Sequence, residues 1–477
     1  MYTQTKTSRE IITEAEATEV GATDVPEELR RDVLYLPNIP ESEVIRHYTK
    51  LASMNFGVDN GPYPLGSCTM KYNPKYADRI ASLDSFTEVH PYQDDSTIQG
   101  TLEMMYDMER KLATIAGMDS VTLQPAAGAH GEFTAMLIVR AYHESRGEKR
   151  DEVIVPDSAH GTNPASAAMV GYKVIEIPSA PDGSVDIEAL KAAASNRTAA
   201  FMLTNPNTLG IFDKNIKEIA KAMHDVGALM YYDGANLNAI MGVTTPGDMD
   251  FDVVHFNIHK TFAAPHGGGG PGSGPVGVKK KLAPYLPSPV IKKTGSKYTF
   301  ADNGELSIGK VRAFYGNLNV VLRGYAYILR MGSDGLKEAT ERAVLNSNYL
   351  KECIKGVYDI PFGDLKKHEF VASASRLKKD KGIRALDVAK RLIDHGIHPP
   401  TVYFPMLVDE ALMFEPTEDC SMDDLDRMAE VLIGIANEDP ETVMNAPYNS
   451  AASRIDETKA AKDSILSSRY LRTRGKI

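Results

Sequence analysis

The chain has 477 residues, about three times the ~150 of an ordinary domain, so two or three structural units are expected. With 43% apolar and 25% charged residues its composition is that of a soluble globular protein, and a net charge of −11 disfavours a nucleic-acid binder, whose grip comes from Lys and Arg neutralising phosphates. Cys68, Cys353 and Cys420 are too scattered for a CxxC pair or a disulfide framework, which points to a reducing compartment. There are 37 glycines and no tryptophan; the glycines find a partial explanation below and the missing tryptophan none.

Residues 1–20 include Lys6, Arg9, Glu10, Glu14 and Glu16 and lack the apolar core of a signal peptide. Nowhere is there an apolar run of the ~18 residues that span a bilayer, so no membrane contact and a cytoplasmic location are expected. Residues 1–60 are polar, broken by Pro26, Pro37 and Pro40, and read as an arm. Leu102, Met105, Met108, Leu112 and Ile115 then recur at helical spacing over residues 101–116. Short apolar runs follow at 121–123, 153–155, 174–177, 200–203, 229–232 and 253–256, with helix-period segments at 130–142, 186–194 and 215–226. That alternation predicts an α/β domain, residues 61–332, whose mostly parallel sheet is covered on both faces. A long helix over 311–331 ends at Gly332-Ser333. Helix 336–356, strand 368–372 and helices 385–395 and 422–438 predict a smaller C-terminal α+β domain, residues 333–477. Arg469, Arg472, Arg474 and Lys476 make the tail basic, either a solvated end or a partner contact. The chain carries no internal repeat.

Candidate chemistry collects where apolar runs end, the edge at which open α/β sheets bind ligands. Asn257-Ile258-His259-Lys260-Thr261-Phe262 follows the run 253–256. A partly buried lysine there can act as an amine nucleophile and form a Schiff base, although a surface lysine beside a histidine looks the same in sequence. Asp233 ends the run at Tyr231-Tyr232-Asp233-Gly234-Ala235-Asn236, suited either to pair with a protonated pyridine nitrogen or to shape an Asp-Gly turn. Gln124-Pro125-Ala126-Ala127-Gly128-Ala129-His130-Gly131 opens a helix whose small residues and positive end suit a phosphate, or simply a tight turn. His160, in Ser158-Ala159-His160-Gly161-Thr162-Asn163, and Thr208, in Thr204-Asn205-Pro206-Asn207-Thr208, also follow apolar runs. A ring laid over a cofactor and a hydroxyl on its phenolic oxygen are the functional readings; a core histidine and a turn are the structural ones. Seven glycines lie between Gly267 and Gly277 without the Gly-Lys-Ser/Thr of a P-loop, so a closely packed backbone turn near Lys260 is expected rather than a linker. His395 and His398 lack the cluster a metal site needs, and none is expected.

With these segments in order, the sequence resembles the pyridoxal-phosphate glycine dehydrogenases (decarboxylating), the P-proteins of the glycine cleavage system, and most of all the separate subunit 2 of split enzymes. Tyr63-Pro64-Leu65-Gly66-Ser67-Cys68-Thr69-Met70-Lys71-Tyr72-Asn73-Pro74, residues 124–132, 232–238 and 257–278, and Gly396-Ile397-His398-Pro399-Pro400-Thr401-Val402 carry the resemblance. It implies fold type I of the pyridoxal-phosphate enzymes, with a large seven-stranded domain and a smaller C-terminal one. It further implies Lys260 as the lysine joined to pyridoxal 5'-phosphate and Asp233 as the pyridine-nitrogen partner. Ala127, Gly128 and Ala129 would face the phosphate with His259 nearby, His160 would stack on the ring, and Thr208 and Ala235 would complete the pocket. Glycine decarboxylation would release CO2 and pass the aminomethyl group to the lipoyl group of H-protein. A homologous subunit 1 would complete an α2β2 heterotetramer. Pro447-Tyr448 departs from the Pro-His expected of the family, which leaves the part played by Tyr448 open. Another fold type I lyase or transferase, such as an amino-acid decarboxylase or cysteine desulfurase, and a non-catalytic regulatory subunit are the alternatives.

Overall fold

A computed structural model describes residues 24–30, 39–266, 272–363 and 365–462. The basic tail and the stretch 267–271 of the glycine run lie outside them. By contacts, Val58–Asn445 forms one unit, and residues 1–57 group with 446–477 in another. The second unit contains helices Glu41–Ala52 and Glu457–Lys462 and the exposed Tyr448.

Helix α1 (Gln99–Ala116) buries Leu102, Met105, Met108 and Leu112 on one stripe, each burial stabilising by roughly 1.5–3 kcal/mol. It stops where Gly117 turns left-handed at φ 65°, since a Cβ there would strike the Thr245 hydroxyl. The central sheet consists of β1 (Ser120–Thr122), β2 (Glu152–Pro156), β3 (Lys173–Ile177), β4 (Thr198–Leu203), β5 (Leu229–Gly234), β6 (Val253–Phe256) and β7 (Val276–Val278), in the order β1-β7-β6-β5-β4-β2-β3. All neighbours are parallel except β7, which runs antiparallel to β1 and β6.

Successive strand residues face opposite sides. Ile154, Phe201, Met230 and Val254 join one core with α1, α5 (Ile216–Asp225) and the first part of α7 (Leu318–Ile354). Val153, Ala200, Tyr231 and Val253 join the other with α2 (Gly128–Ser145) and α3 (Thr162–Met169). Both faces are apolar, which is why these strands read as unbroken runs. Helix α4 (Ile187–Ala193) starts at Asp186, whose side chain accepts from the Ala189 amide at 3.0 Å.

Helix α7 begins at Leu318, seven residues later than its apolar pattern implied, because residues 311–316 form bends. It breaks geometrically at Gly332 (φ 61°, ψ −175°), so two helices meet at the glycine where the sequence pattern ends one. Its second part enters another core through Leu350 and Ile354, with α8 (Ala385–Asp394) and α9 (Met422–Asn437). These cover a small antiparallel sheet of β10 (Phe370–Ser373), β11 (Thr401–Val402) and β12 (Ala411–Phe414), in the order β10-β12-β11. A hairpin, β8 (Val290–Thr294) with β9 (Lys297–Ala301), has no counterpart among the expected elements. Among the described residues no helix is long and apolar enough to cross a membrane.

One further segment ties the two cores together. Residues 64–71 run as a strap along β12, with the Gly66 amide on the Met413 carbonyl (3.1 Å) and the Glu415 amide on the Pro64 carbonyl (3.2 Å). Lys71, 3% exposed, anchors its far end by donating to Asn238 Oδ1 (2.6 Å), the Thr261 carbonyl (3.0 Å) and Glu418 Oε1 (2.7 Å).

Candidate active site

Beyond the carboxyl ends of β4, β5 and β6 lies a cavity of about 180 Å³. Gly128, Ala129, His160, Thr208, Asp233, Ala235, His259 and Lys260 line it. All eight are among the residues singled out from the sequence. Ala127 is the remaining one; it caps α2 in an extended conformation with no side-chain cap, and is not part of the cavity wall.

Lys260 sits on a single helical turn, α6 (Ile258–Thr261), directly after β6. Its Nζ donates to the Ser67 carbonyl at 2.9 Å, so the strap forms the wall that meets the amine. Asp233 is 3% exposed at the end of β5. Its Oδ1 accepts from the Ala235 amide (2.9 Å) and its Oδ2 from Asn163 Nδ2 (2.8 Å), with His255 Nε2 3.6 Å from Oδ1. Burial alone would raise this carboxyl; the His255 ring, the Asn163 amide and the Ala235 N–H outweigh it and hold the group below its ordinary value. An anionic group is thus kept at the closed end of the cavity.

Glu132, on α2, takes the opposite state. Burial and the charge of Asp233 raise its carboxyl, while Thr162 Oγ1 (2.8 Å) and Asn163 Nδ2 (3.2 Å) contact its oxygens. The two acids therefore divide their roles, one ionised and one protonated, joined through the Asn163 amide. His255 is locked between Tyr231 OH (2.6 Å from Nδ1) and Asn257 Nδ2 (2.7 Å from Nε2). Burial, then His266 and Lys260, depress His259 to about 3, so its ring is neutral, with Nδ1 accepting from the Ser273 amide at 3.3 Å.

The described part of the glycine run explains its composition through close approach rather than flexibility. A Cβ on Gly274 would collide with the Ala127 carbonyl, and one on Gly272 with the His259 ring. One on Gly128 would lie 2.5 Å from Asn257 Oδ1. Gly274→Ala should push the first turn of α2 off the cavity. We expect at least a tenfold weaker retention of pyridoxal phosphate with little change in far-ultraviolet circular dichroism; dialysis followed by absorbance checks it. His160 opens onto the cavity with Nδ1 3.0 Å from Thr162 Oγ1 and its ring edge-on to Phe404. Thr208 Oγ1 spends its proton on the Ser158 carbonyl (2.8 Å), leaving only lone pairs for a ligand.

Ser67, Glu132, Thr162, Thr204, Asn236, His255 and Asn257 also line the cavity and were not anticipated in that role. A signal existed for Glu132, an acid on the apolar face of a predicted helix. For Ser67 the signal was only that it lies in the Tyr63–Pro74 stretch that carries the family resemblance; its place in the site is set by the strap. As a receptacle the cavity suits a phosphorylated pyridine aldehyde: an uncapped helix N-terminus with a glycine where no Cβ fits, a buried carboxylate, and an amine.

Comparison with known proteins gives the family. The family model described as glycine cleavage system P-protein matches residues 3–297, and that of the glycine dehydrogenase C-terminal domain matches 339–458. The chain is 59% identical over 440 residues to a probable glycine dehydrogenase (decarboxylating) subunit 2 of Thermoplasma acidophilum, covering 92% of each. It is 57% identical to the protein so named in Caldanaerobacter subterraneus, covering 92% of this chain and 91% of that one. Among solved structures it is similar to a glycine decarboxylase (P-protein) in inhibitor-bound form (TM-score 0.71, 20% identity, 91% of this chain and 99% of that one). It is also similar to the cysteine desulfurase CsdA of Escherichia coli (TM-score 0.61, 15% identity, 79% and 95%). The fold is that of the fold type I pyridoxal-phosphate enzymes, and the chain belongs to the P-protein family of the glycine cleavage system, among the enzymes named glycine dehydrogenase (decarboxylating) subunit 2.

Proposed function

We propose that this chain binds pyridoxal 5'-phosphate through Lys260, decarboxylates glycine, and delivers the aminomethyl group to the lipoyl group of H-protein with release of CO2. The observation that carries the proposal is the placement of Asp233 at the end of β5 and of Lys260 just after its neighbour β6, both opening on one cavity with the start of α2. Bound pyridoxal phosphate supplies an electron sink for the pair left by the departing carboxylate. Asp233 keeps a negative charge where the pyridine nitrogen must hold its proton. The amides of Gly128 and Ala129, in the first turn of α2, bind the phosphate, and His160 covers the ring. Thr208 and Ala235 shape the pocket, and neutral His259 packs beside the phosphate end without adding charge. Lys260 provides the joining amine and, once released, a group able to move a proton.

Subunit 1 as partner, an α2β2 assembly, docking of lipoylated H-protein and a cytoplasmic setting belong to the same proposal. The partner subunit rests on the "subunit 2" of the relatives' names, and H-protein on the description of the matching family as the glycine cleavage system P-protein.

The deciding experiment is exchange of labelled bicarbonate into glycine by this chain, with and without the partner subunit and lipoylated H-protein. Exchange that needs H-protein and increases at least tenfold with the partner is the expected result. Exchange with another amino acid, or sulfur release from cysteine, would assign the chain to a different fold type I reaction. Absence of a visible absorbance band in the cofactor-supplied complex would leave a non-catalytic subunit.

A further inference from the structure

Behind the strap lies a group of acids that the proposed reaction leaves without a role. Phe370 of β10 pairs with Phe414 of β12, and one residue beyond that pair on each strand stand Glu369 and Glu415. Like charges facing each other across an antiparallel pair destabilise it, and here both side chains are buried, at 0% and 1% exposure. His368, also 0% exposed, completes a cluster whose polar atoms lie within 4.8 Å of one another; its Nε2 stands 3.5 Å from Glu415 Oε1, and neither ring nitrogen makes a hydrogen bond. The strap supplies the other contacts. Glu369 accepts from the Ser67 amide (3.0 Å) and Asn236 Nδ2 (2.9 Å). Glu415 accepts from the Thr69 amide (2.9 Å) and Thr69 Oγ1 (2.5 Å). Ser67 is the residue whose carbonyl receives Lys260 Nζ, so one peptide segment carries the acids on one side and the lysine on the other.

We propose that Glu369 and Glu415 share a single proton and so hold one negative charge behind Ser67, as the counter-charge of the Lys260 ammonium whenever that lysine is not joined to the cofactor. Two carboxylates this close and this dry cannot both ionise, and with four donors on their oxygens they have no reason both to be neutral. Burial raises both carboxyls, and the charge of Glu415 raises Glu369 further. The titratable groups facing the pair are Lys260, Lys71, His368 and Cys68. Burial keeps the His368 ring neutral, at about 3, so it adds no positive charge to compete with Lys260. Glu369 and Glu415 are positioning residues: they act on glycine binding through the lysine that glycine displaces. When glycine takes the place of Lys260, the proton shed by the incoming ammonium ends on the lysine amine, and the pair's charge favours that outcome.

This inference rests on the proposed role of Lys260, and its test separates the two. Infrared difference spectra of the full chain without cofactor, recorded across pH, should show two protonated-carboxyl C=O contributions at neutral pH, one from Glu132, which Glu132→Gln removes, and one from the pair. The pair's contribution should be lost in both Glu369→Gln and Glu415→Gln, because the acid that remains then ionises alone. With cofactor bound, glycine titrated against the absorbance spectrum should show half-saturation within about threefold of the parent for each single variant, since one charge survives. It should be at least tenfold higher in the double variant. The Thr69 hydroxyl can rotate to accept from Gln at 415, whereas Gln at 369 keeps the Ser67 amide on its carbonyl but loses the Asn236 contact, because Asn236 Nδ2 is also held by the Pro206 carbonyl (2.9 Å). Carboxyl absorbance that either substitution leaves at the parent's strength overturns the shared proton. A double variant that keeps the parent's half-saturation overturns the counter-charge. If the double variant does not fold, the pair's contribution in the two single variants still decides the shared proton. A parent chain that shows that contribution and takes up no cofactor would instead count against the proposed function.

Discussion

Lys260→Ala should abolish covalent attachment of pyridoxal phosphate and lower glycine–bicarbonate exchange by at least about a thousandfold, within the ~10²–10⁴ span attributed to a single positioned proton-transfer group and compounded by loss of the nucleophile. Borohydride reduction followed by peptide mass analysis checks the first part, because the parent chain should carry a fixed adduct at residue 260 and the variant none. The fold should hold. The Lys260 side chain makes one hydrogen bond, to the Ser67 carbonyl, and a typical bond of this kind contributes about 0.5–1.5 kcal/mol. Lys260→Arg separates charge from nucleophilicity: the guanidinium keeps a cation against Ser67 but cannot deprotonate, so it should be as inactive as alanine. An arginine variant that retains measurable exchange would mean that the lysine serves mainly as a charge.

The parts of this molecule that were legible in sequence are those whose signal is local. β2, β4 and β5 are buried along their whole length, and each appears as an apolar run within two residues of its real bounds. β7 is Val276-Gly277-Val278 inside a glycine-proline stretch, too short and too mixed to show, yet it closes the sheet between β1 and β6. β12 is apolar throughout, Ala411–Phe414, but a single four-residue run has no period to read.

The site divides in the same way. Asp233, His160 and Lys260 each follow a strand, and a strand's end is visible in sequence. Ser67, Glu369 and Glu415 meet through contacts between residues more than 300 positions apart, such as the Ser67 amide on Glu369 and the Thr69 amide on Glu415. No pattern within one segment encodes that meeting. It follows from the strap lying along β12, which the Leu65–Phe414 bridge records.

Asp233→Asn should reduce exchange by roughly 10²–10³-fold, the usual effect of removing one preorganised electrostatic partner, while leaving the cofactor bound. Only the charge is lost, since the shape is kept. The Ala235 amide can still donate to the asparagine carbonyl. Asn163 can invert its amide, because its Oδ1 is buried without a partner and would accept from the new side-chain NH2, at the loss of the weaker 3.2 Å contact of its Nδ2 with Glu132. What changes is the division of charge with Glu132. Asp233 is one of the two causes that raise the Glu132 carboxyl, the other being burial, so neutralising residue 233 must lower it. The sign for stability follows. A carboxyl raised in the folded state favours folding while protonated, so its contribution is present below the unfolded value and fades as pH rises through the folded one. Thermal unfolding of the parent should therefore lose stability from mildly acidic to mildly alkaline pH; Glu132→Gln should flatten that slope, and Asp233→Asn should shift it to lower pH. If Glu132 ionises in the Asp233→Asn variant, it places a substitute anion one amide away from the lost one. Adding Glu132→Gln to Asp233→Asn should then cost at least a further tenfold in exchange, beyond its effect in the parent. A double variant no worse than the product of the two singles would show that the acids act independently and that the Asn163 bridge between them carries no coupling.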